Sequence, residues 1–226
     1  MFEELKNIYP NTESYTVKLP LSDGCFKSFD YLLDEGLSKA SKLRKNEFLA
    51  GRYCAIKAAE KLEYYLEDLP RDLQTRAPQW PSQLVGSISH SKAYAISIVA
   101  RSCDYYSLGL DIETFIVARK VSVIEKMVLT DSDYVLTQDL IQSHPLEEIY
   151  TIIFSAKESL YKLIYPLCKC YFDFKEANIK HIDVNRQSFA IEIISSKAQL
   201  KPYKSTYYGA YFIENDQVLT VLSLPK

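Results

Sequence analysis

Two long segments with apolar residues at helical spacing constrain the fold of this 226-residue chain more than any other feature. The first runs from Ser41 to Glu67 and the second from Pro145 to Tyr165, and both repeat apolar residues at three- and four-residue steps. Each segment is followed by runs that are typical of β-strands. Because helix and then sheet occur twice along the chain, the sequence predicts an α+β fold.

The chain is long enough for one large domain or for two of about 110 residues each. A polar turn at Arg101–Asp104 marks a boundary, so we expect an N-terminal lobe of residues 1–104 and a C-terminal lobe of residues 105–226. Hydrophobic residues make up 47% of the chain, which is enough to bury a sizeable core. The strand candidates are Val17–Leu21, Ala95–Ala100, Tyr106–Glu113, Ala177–Asp183, Ser188–Ile194, Thr206–Ile213 and Gln217–Leu224.

Charge and cysteine content exclude several classes of protein. A formal net charge of −2 argues against a general nucleic-acid binder, which needs a basic excess. The five cysteines are odd in number and have no paired C-x-x-C spacing, so neither a disulfide framework nor a structural zinc site is expected. Met1–Glu4 is acidic, and nowhere do about 18 uncharged apolar residues follow one another. We therefore expect a cytoplasmic protein without a membrane span, and we also expect it to be monomeric.

Two acidic residues alternate across Ile112 in a predicted strand, which places the Asp111 and Glu113 carboxylates on the same side. Glu158, on the second predicted helix, could approach them. Three convergent carboxylates indicate a hard divalent cation, although acids at a strand end more commonly contact only solvent. Gly109, at the start of the strand, permits close approach by another backbone or a ligand.

Basic residues accompany these carboxylates in the sequence. Lys157, Lys162 and His90 suit a phosphate ester better than a bare metal cage, because Mg²⁺ takes few carboxylates and lets substrate phosphates complete its shell. Glu158 and Lys162 share a helix face at i and i+4, so they could also form an ordinary salt bridge. Lys157 diverges from Glu158 by about 100° around the helix. The residues thus favour a Mg²⁺ and diphosphate site and leave a simple ion pair open.

Several blocks of this sequence resemble signatures of the 4′-phosphopantetheinyl transferases. The single-chain type that serves siderophore and peptide synthetases has a G-x-D-x-E strand, a helix with an S-x-K-E-x-x-x-K pattern and an S-x-S-H turn. Further stretches are similar to the N-terminal signature of the enterobactin-synthetase-associated members. The matching blocks are Glu47–Ala55, Arg76–Pro81, Gly86–Ser91, Gly109–Glu113 and Phe154–Lys162. They occur in the family's order and spacing, between about Arg44 and Asn178.

This resemblance implies a two-lobed α+β pseudo-dimer with the active site in the cleft between the lobes. It also implies transfer of phosphopantetheine from coenzyme A to a carrier-protein serine, with release of adenosine 3′,5′-bisphosphate. The carrier would belong to a siderophore or other secondary-metabolite pathway. Mg²⁺ would be held by Asp111, Glu113 and Glu158. A Mg²⁺-dependent phosphohydrolase of a nucleotide diphosphate and a catalytically silent carrier-binding module are the alternatives.

The family pattern also assigns roles to individual residues. Glu158, Lys157 and Lys162 would be catalytic, with either Glu158 or Lys157 as the general base. Three arginines are candidates for the 3′-phosphate; Arg76 is the strongest, whereas Arg52 could pack its helix instead. Aromatic residues between Tyr161 and Phe174 could dock a carrier protein, but a place in the core is favoured. Together the expected coenzyme A contacts are Arg44, Arg52, Arg76, Ser89, His90, Lys157 and Lys162.

Overall fold

The computed structural model describes residues 5–33, 35–37 and 39–226, so the acidic Met1–Glu4 segment lies outside the described residues. The α-helices are α1 (Leu5–Ile8), α2 (Asp23–Ser28), α3 (Lys42–Lys61), α4 (Val121–Val128), α5 (Asp131–Leu140) and α6 (Leu146–Cys168). The strands are β1 (Thr12–Lys18), β2 (Leu84–His90), β3 (Tyr94–Arg101), β4 (Tyr105–Thr114), β5 (Ala177–Asp183), β6 (Ser188–Ile193), β7 (Thr206–Glu214) and β8 (Gln217–Pro225). Short 3₁₀ turns include Phe174–Glu176, just before β5.

One compact unit comprises the residues up to Leu108 together with Leu224–Lys226. Its antiparallel sheet has the order β1-β3-β2, and α3 packs against all three strands. Helix α3 begins after Ser41, whose hydroxyl accepts a hydrogen bond from the Arg44 amide at 3.2 Å, as an N-cap does. The sequence prediction extended this helix to Glu67 and is wrong beyond Lys61, because Glu63 adopts a left-handed φ of 55°.

The other compact unit comprises Gly109–Ser223 and carries a five-stranded sheet of order β4-β8-β7-β6-β5. Its central helix, α6, has a continuous apolar side whose members are fully buried. The prediction ended this helix at Tyr165, whereas the helix includes Pro166 in its last turn and stops at Lys169, where φ is 51°. The buried apolar residues of α6 include Ile149, Ile152, Ile153, Leu160, Leu163 and Ile164.

The α+β class predicted from the sequence is confirmed, with helices and antiparallel sheets in both units. The strands after α6 lie where they were predicted, and β5 agrees at both ends. The strands of the first unit agree less well, since β1 begins at Thr12 rather than Val17 and ends at Lys18, and β2 was not predicted as a separate strand. The placement of an active site between two lobes stays a prediction. Within the described residues, no helix combines the length and the apolar character needed to cross a membrane.

Candidate functional site

Strand β4 lies directly against helix α6, and a glycine makes this approach possible. A Cβ atom on Gly109 would stand 2.0 Å from the Ser159 carbonyl oxygen and 2.9 Å from the Leu163 amide nitrogen. The prediction that Gly109 permits close backbone approach is therefore confirmed. Asp111 and Glu113 follow at alternate positions and share the face of Gly109. The opposite face of the strand is fully buried, through Leu108, Leu110 and Ile112.

Buried hydroxyl groups fix helix α6 to the sheet. The Thr220 hydroxyl lies 2.8 Å from the Ser155 hydroxyl and 2.7 Å from the Ser159 hydroxyl. Ser155 also donates to the carbonyl oxygen of Asp111 at 3.3 Å. Because the three hydroxyl side chains are completely buried, these bonds hold the backbone of Asp111 in register with the helix that carries Glu158. Sequence reasoning missed Thr220, which stands in an ordinary strand pattern.

The three carboxylates expected from the sequence influence one another in this unit. Burial raises the pKa of Glu113 to about 8, and the Asp111 carboxylate adds to the rise. Burial likewise raises the pKa of Glu158, with Lys162 opposing the rise and Asp111 supporting it. Asp111 is only 2% exposed, and one of its oxygens accepts a hydrogen bond from the Lys162 ammonium at 2.8 Å. Three carboxyl groups are thus clustered beside one half-buried lysine.

This donor set fits a magnesium ion in its chemistry. Carboxylate oxygens are the ligands that Mg²⁺ prefers, and a divalent cation would relieve the repulsion that helps to raise these pKa values. Among the residues that the structure describes, however, no three His, Cys, Asp or Glu side chains already stand at metal-binding spacing. Binding a metal ion through all three carboxylates would therefore require their side chains to rearrange.

Lys157 lies on another side of the same helix and has different surroundings. Its ammonium donates to the carbonyl oxygens of Val128 at 2.8 Å and Phe174 at 3.0 Å, and to a carboxylate oxygen of Asp133 at 2.5 Å. An ammonium has three N–H groups, so all of them are engaged. The Lys157 side chain is 1% exposed. Burial lowers the pKa of Lys157, and the charge and hydrogen bond of Asp133 oppose that effect.

A cavity of about 140 Å³ opens beside Glu158. The aromatic segment after α6 forms part of its lining, and the ring of Tyr161 packs against those of Tyr165 and Phe172, each with its centroid 5.3 Å away. Phe172 is buried, whereas Tyr171 is 66% exposed. The aromatic residues therefore pack mainly on one another, and one of them faces solvent. The cavity is lined by Lys157, Glu158, Tyr161, Tyr171, Phe172, Asp173, Phe174 and Ala177.

In the first unit, two of the predicted coenzyme A contacts lie side by side. The Arg44 guanidinium stands 2.8 Å from His90 Nε2 and 3.1 Å from a carboxylate oxygen of Glu47. Because a guanidinium only donates, His90 accepts through Nε2. His90 ends β2 and is half-buried, while the neighbouring Ser89 is only 6% exposed. Arg44 and His90 thus lie together at a partly exposed position with the Glu47 carboxylate between them, and the Ser89 side chain lies inside.

The other two candidate arginines have contrasting positions. Arg52 is 6% exposed, donates from Nε to the Leu69 carbonyl at 2.8 Å and stacks 4.2 Å from the ring centre of Phe48. Its surroundings favour the packing role that the sequence left open. Arg76 is exposed on a loop and adopts a φ of 63°, with its amide donating to the Asp72 carbonyl. Of the two, only Arg76 presents its side chain to solvent.

Asp133 is a buried residue that sequence reasoning missed. Besides Lys157, its carboxylate accepts hydrogen bonds from the amides of Thr130 at 2.8 Å and Ile179 at 2.7 Å. Its side chain is completely buried. A capping box formed with Thr130 could have predicted the start of α5, but that local pattern carries no signal for a distant lysine.

Comparison with known families assigns the chain to a class. The model of the 4′-phosphopantetheinyl transferase superfamily matches residues 107–222, which contain the carboxylate cluster and α6. A model of the 4′-phosphopantetheinyl transferase N-terminal domain matches residues 33–100. The chain therefore belongs to the 4′-phosphopantetheinyl transferase superfamily, and the resemblance drawn from its sequence blocks is confirmed.

Individual relatives agree with this assignment. The chain is 34% identical to enterobactin synthase component D of Escherichia coli O157:H7 over 126 residues, which are 56% of this chain and 57% of the relative. It is 30% identical to the 4′-phosphopantetheinyl transferase Svp of Streptomyces mobaraensis, over 70% of this chain and 63% of the relative. It is 28% identical to the 4′-phosphopantetheinyl transferase PptT of Mycobacterium tuberculosis, over 83% of this chain and 82% of the relative. The chain thus spans just over half the length of the enterobactin synthase component that it matches.

Proposed function

We propose that the protein transfers the 4′-phosphopantetheine group of coenzyme A to a serine hydroxyl of a carrier protein. The observation that carries this proposal is the cluster of Asp111, Glu113 and Glu158 beside Lys162, in a member of this superfamily. Clustered carboxyl groups that a divalent cation can deprotonate, next to a half-buried lysine, suit a cation and a diphosphate together. A catalytically silent member would lack one of these carboxylates, and this chain has all three.

In the proposed reaction, the serine oxygen attacks the β-phosphorus of coenzyme A. The bond from that phosphorus to the bridging oxygen breaks, and adenosine 3′,5′-bisphosphate leaves with the oxygen. Mg²⁺ bound by Asp111, Glu113 and Glu158 would neutralise charge on the diphosphate. Lys162 would turn from Asp111 to a phosphate oxygen, because its side chain remains 25% exposed and can change partners. No covalent enzyme intermediate is needed.

The hydrogen bonds of Lys157 support Glu158 as the group that accepts the serine proton. A general base needs a free lone pair within reach of the hydroxyl, and Lys157 directs three N–H groups to three acceptors away from solvent. Glu158 lines the cavity, and burial raises the pKa of its carboxyl, which strengthens it as a base. The proton of the carrier serine would therefore pass to a Glu158 oxygen.

Residues of the first unit are proposed to bind the phosphates of coenzyme A. Arg44 and His90 already lie within hydrogen-bond distance of each other, and Arg76 is an exposed guanidinium suited to a terminal phosphate. Arg76→Asn is the appropriate variant, because asparagine tolerates the φ of 63°. It should weaken coenzyme A binding by roughly 1.5–3 kcal/mol and leave dephospho-coenzyme A binding unchanged. Equal losses for the two ligands would assign Arg76 another role.

The carrier is proposed to belong to siderophore or other secondary-metabolite synthesis, as the name of the enterobactin synthase relative suggests. The aromatic group with exposed Tyr171 stays a candidate docking surface, although most of its rings pack internally. A cytoplasmic location also stays a prediction, supported by the odd number of cysteines without paired spacing, and a monomeric state stays a prediction as well.

The deciding experiment is incubation with coenzyme A, Mg²⁺ and a panel of apo-carrier proteins, followed by intact mass spectrometry. A carrier should gain one phosphopantetheine mass, and the same carrier with its serine changed to alanine should gain nothing. Adenosine bisphosphate should appear only when carrier is present. If adenosine bisphosphate is released equally with and without the carrier, the protein is a phosphohydrolase and the transferase proposal is overturned.

A further inference from the structure

The contacts of Lys157 and Asp133 join separate segments around the cavity. Lys157 bonds the end of α4 through Val128 and the turn before β5 through Phe174. Asp133 lies in the first turn of α5. Its carboxylate accepts hydrogen bonds from the amide of Thr130, just before that helix, and from the amide of Ile179 in strand β5. With both side chains almost completely removed from water, the pair is a buried junction of four segments and α6.

This junction touches both sides of the cavity beside Glu158. One side of the cavity comes from α6, through Glu158 and Tyr161, and the other from the segment between Tyr171 and Ala177. The Lys157 ammonium holds the Phe174 carbonyl of that segment, while its own backbone precedes Glu158 in the helix. A shift of Lys157 or Asp133 would therefore change the distance between Glu158 and the facing wall.

We propose that Asp133 and Lys157 are positioning residues for the transfer reaction, which hold the Glu158 side of the cavity at a fixed distance from its aromatic wall. The proposal rests on the proposed function, because it concerns the placement of Glu158 for that reaction. It assigns Lys157 no contact with substrate, in contrast to the role that the family resemblance implies. Asp133, which no sequence block singled out, becomes as important as its partner.

A double-mutant cycle separates positioning from direct chemistry. Replacing one partner of a buried ion pair leaves an uncompensated charge, whereas replacing both with neutral groups of similar size removes that charge. The variants are Asp133→Asn, Lys157→Met and the double variant, with Lys162→Met as a matched control on the same helix. kcat and KM for coenzyme A are measured by carrier modification, alongside thermal unfolding.

We expect each single variant at the junction to lower kcat by at least about tenfold while KM for coenzyme A changes less than about threefold. The double variant should recover about tenfold in kcat over Lys157→Met, because it no longer buries an unpaired Asp133 carboxylate beside the cavity, whereas the bond to Phe174 is lost in both variants. Lys162→Met should behave differently, with a raised KM that Asp133→Asn does not rescue. The inference is overturned if folded Lys157→Met is equally inactive with and without Asp133→Asn. It is also overturned if Lys157→Met raises KM as Lys162→Met does.

A replacement variant and the wild-type result cover the two remaining outcomes. If Lys157→Met is unfolded at the assay temperature, Lys157→Gln replaces it in the same cycle, since its amide can still donate to two carbonyls. Failure of the wild-type protein to modify any carrier contradicts the proposed function. If the wild-type protein transfers normally and the effects of the two substitutions on log kcat simply add, only the positioning role is contradicted.

Discussion

Two lysines of helix α6 share a sequence block and have opposite surroundings. Lys157 is sealed among three acceptors, whereas Lys162 is 25% exposed and bonds one oxygen of Asp111. The two positions point about 140° apart around the helix axis. One side of the helix is therefore a dry and fully bonded junction, and the other is a partly open site.

The difference shows how one helix can supply both rigidity and reactivity. An ion pair without access to water has no alternative partner, so its groups keep one geometry. An ion pair at the edge of solvent can exchange its cation for a metal ion or its carboxylate for a phosphate. We expect substitutions on the open side to alter chemistry and ligand binding, and those at the junction to alter geometry.

The largest effect is expected at the open side, for Glu158→Gln. The amide cannot accept the serine proton as a carboxylate does, so transfer should fall by roughly 10²–10⁴-fold. Stability should not fall, because burial already raises the pKa of Glu158 and so disfavours its charged form. Carrier modification followed by mass spectrometry measures the rate. Asp139→Asn, on an exposed position of α5, is the control; a Glu158→Gln rate within a few-fold of wild type would remove Glu158 from the mechanism.

The next largest effect should come from separating β4 from the helix. Gly109→Ala places a Cβ atom 2.0 Å from the Ser159 carbonyl oxygen, so strand and helix must move apart. We expect a loss of about 3 kcal/mol or more in the free energy of unfolding, measured in denaturant. Gly24→Ala is the matched control, since nothing lies within 4 Å of its added Cβ and alanine favours a helix. Equal stability of the two variants would contradict the tight β4–α6 contact.

The same contrast explains how much the sequence could predict. Local patterns located the strands after α6, the two long helices and the shared face of Asp111 and Glu113, because each rests on the periodicity of neighbouring residues. Helix ends were less accurate. Those of α3 and α6 depend on single residues in left-handed conformation, Glu63 and Lys169, which no composition rule demanded.

Long-range partners could not be predicted in this way. Asp133 meets Lys157 across 24 positions, and Thr220 meets Ser159 across 61. Such pairs follow from the packing of whole elements and leave no spacing in the chain. The motif residues Lys157 and Lys162 look equivalent in sequence for the same reason, since only tertiary contacts distinguish a buried cation from an open one.

A smaller effect on the open side should depend on pH. The pKa of Glu113 is raised to about 8, so the folded protein binds this proton more tightly than the unfolded chain does. The resulting stability is present below the unfolded pKa and is lost as the pH rises through about 8. Between about pH 6.5 and about pH 8.5, wild type should lose on the order of 2 kcal/mol of unfolding free energy that Glu113→Gln does not lose. Denaturant unfolding at both pH values measures it, and the exposed Glu67→Gln should show no such trend.

The smallest expected effect tests whether Lys162 and a metal ion compete for Asp111. Asp111→Asn keeps an oxygen for the lysine but removes the charge that attracts the cation, so the Mg²⁺ concentration for half-maximal transfer should rise on the order of tenfold or more. Lys162→Met removes the competitor and should lower that concentration, even though turnover declines. Titration of Mg²⁺ in the carrier assay measures both shifts. If the Mg²⁺ concentration for half-maximal transfer shifts in the same direction in both variants, the 2.8 Å ion pair is not displaced when Mg²⁺ binds. The open side would then be as fixed as the junction.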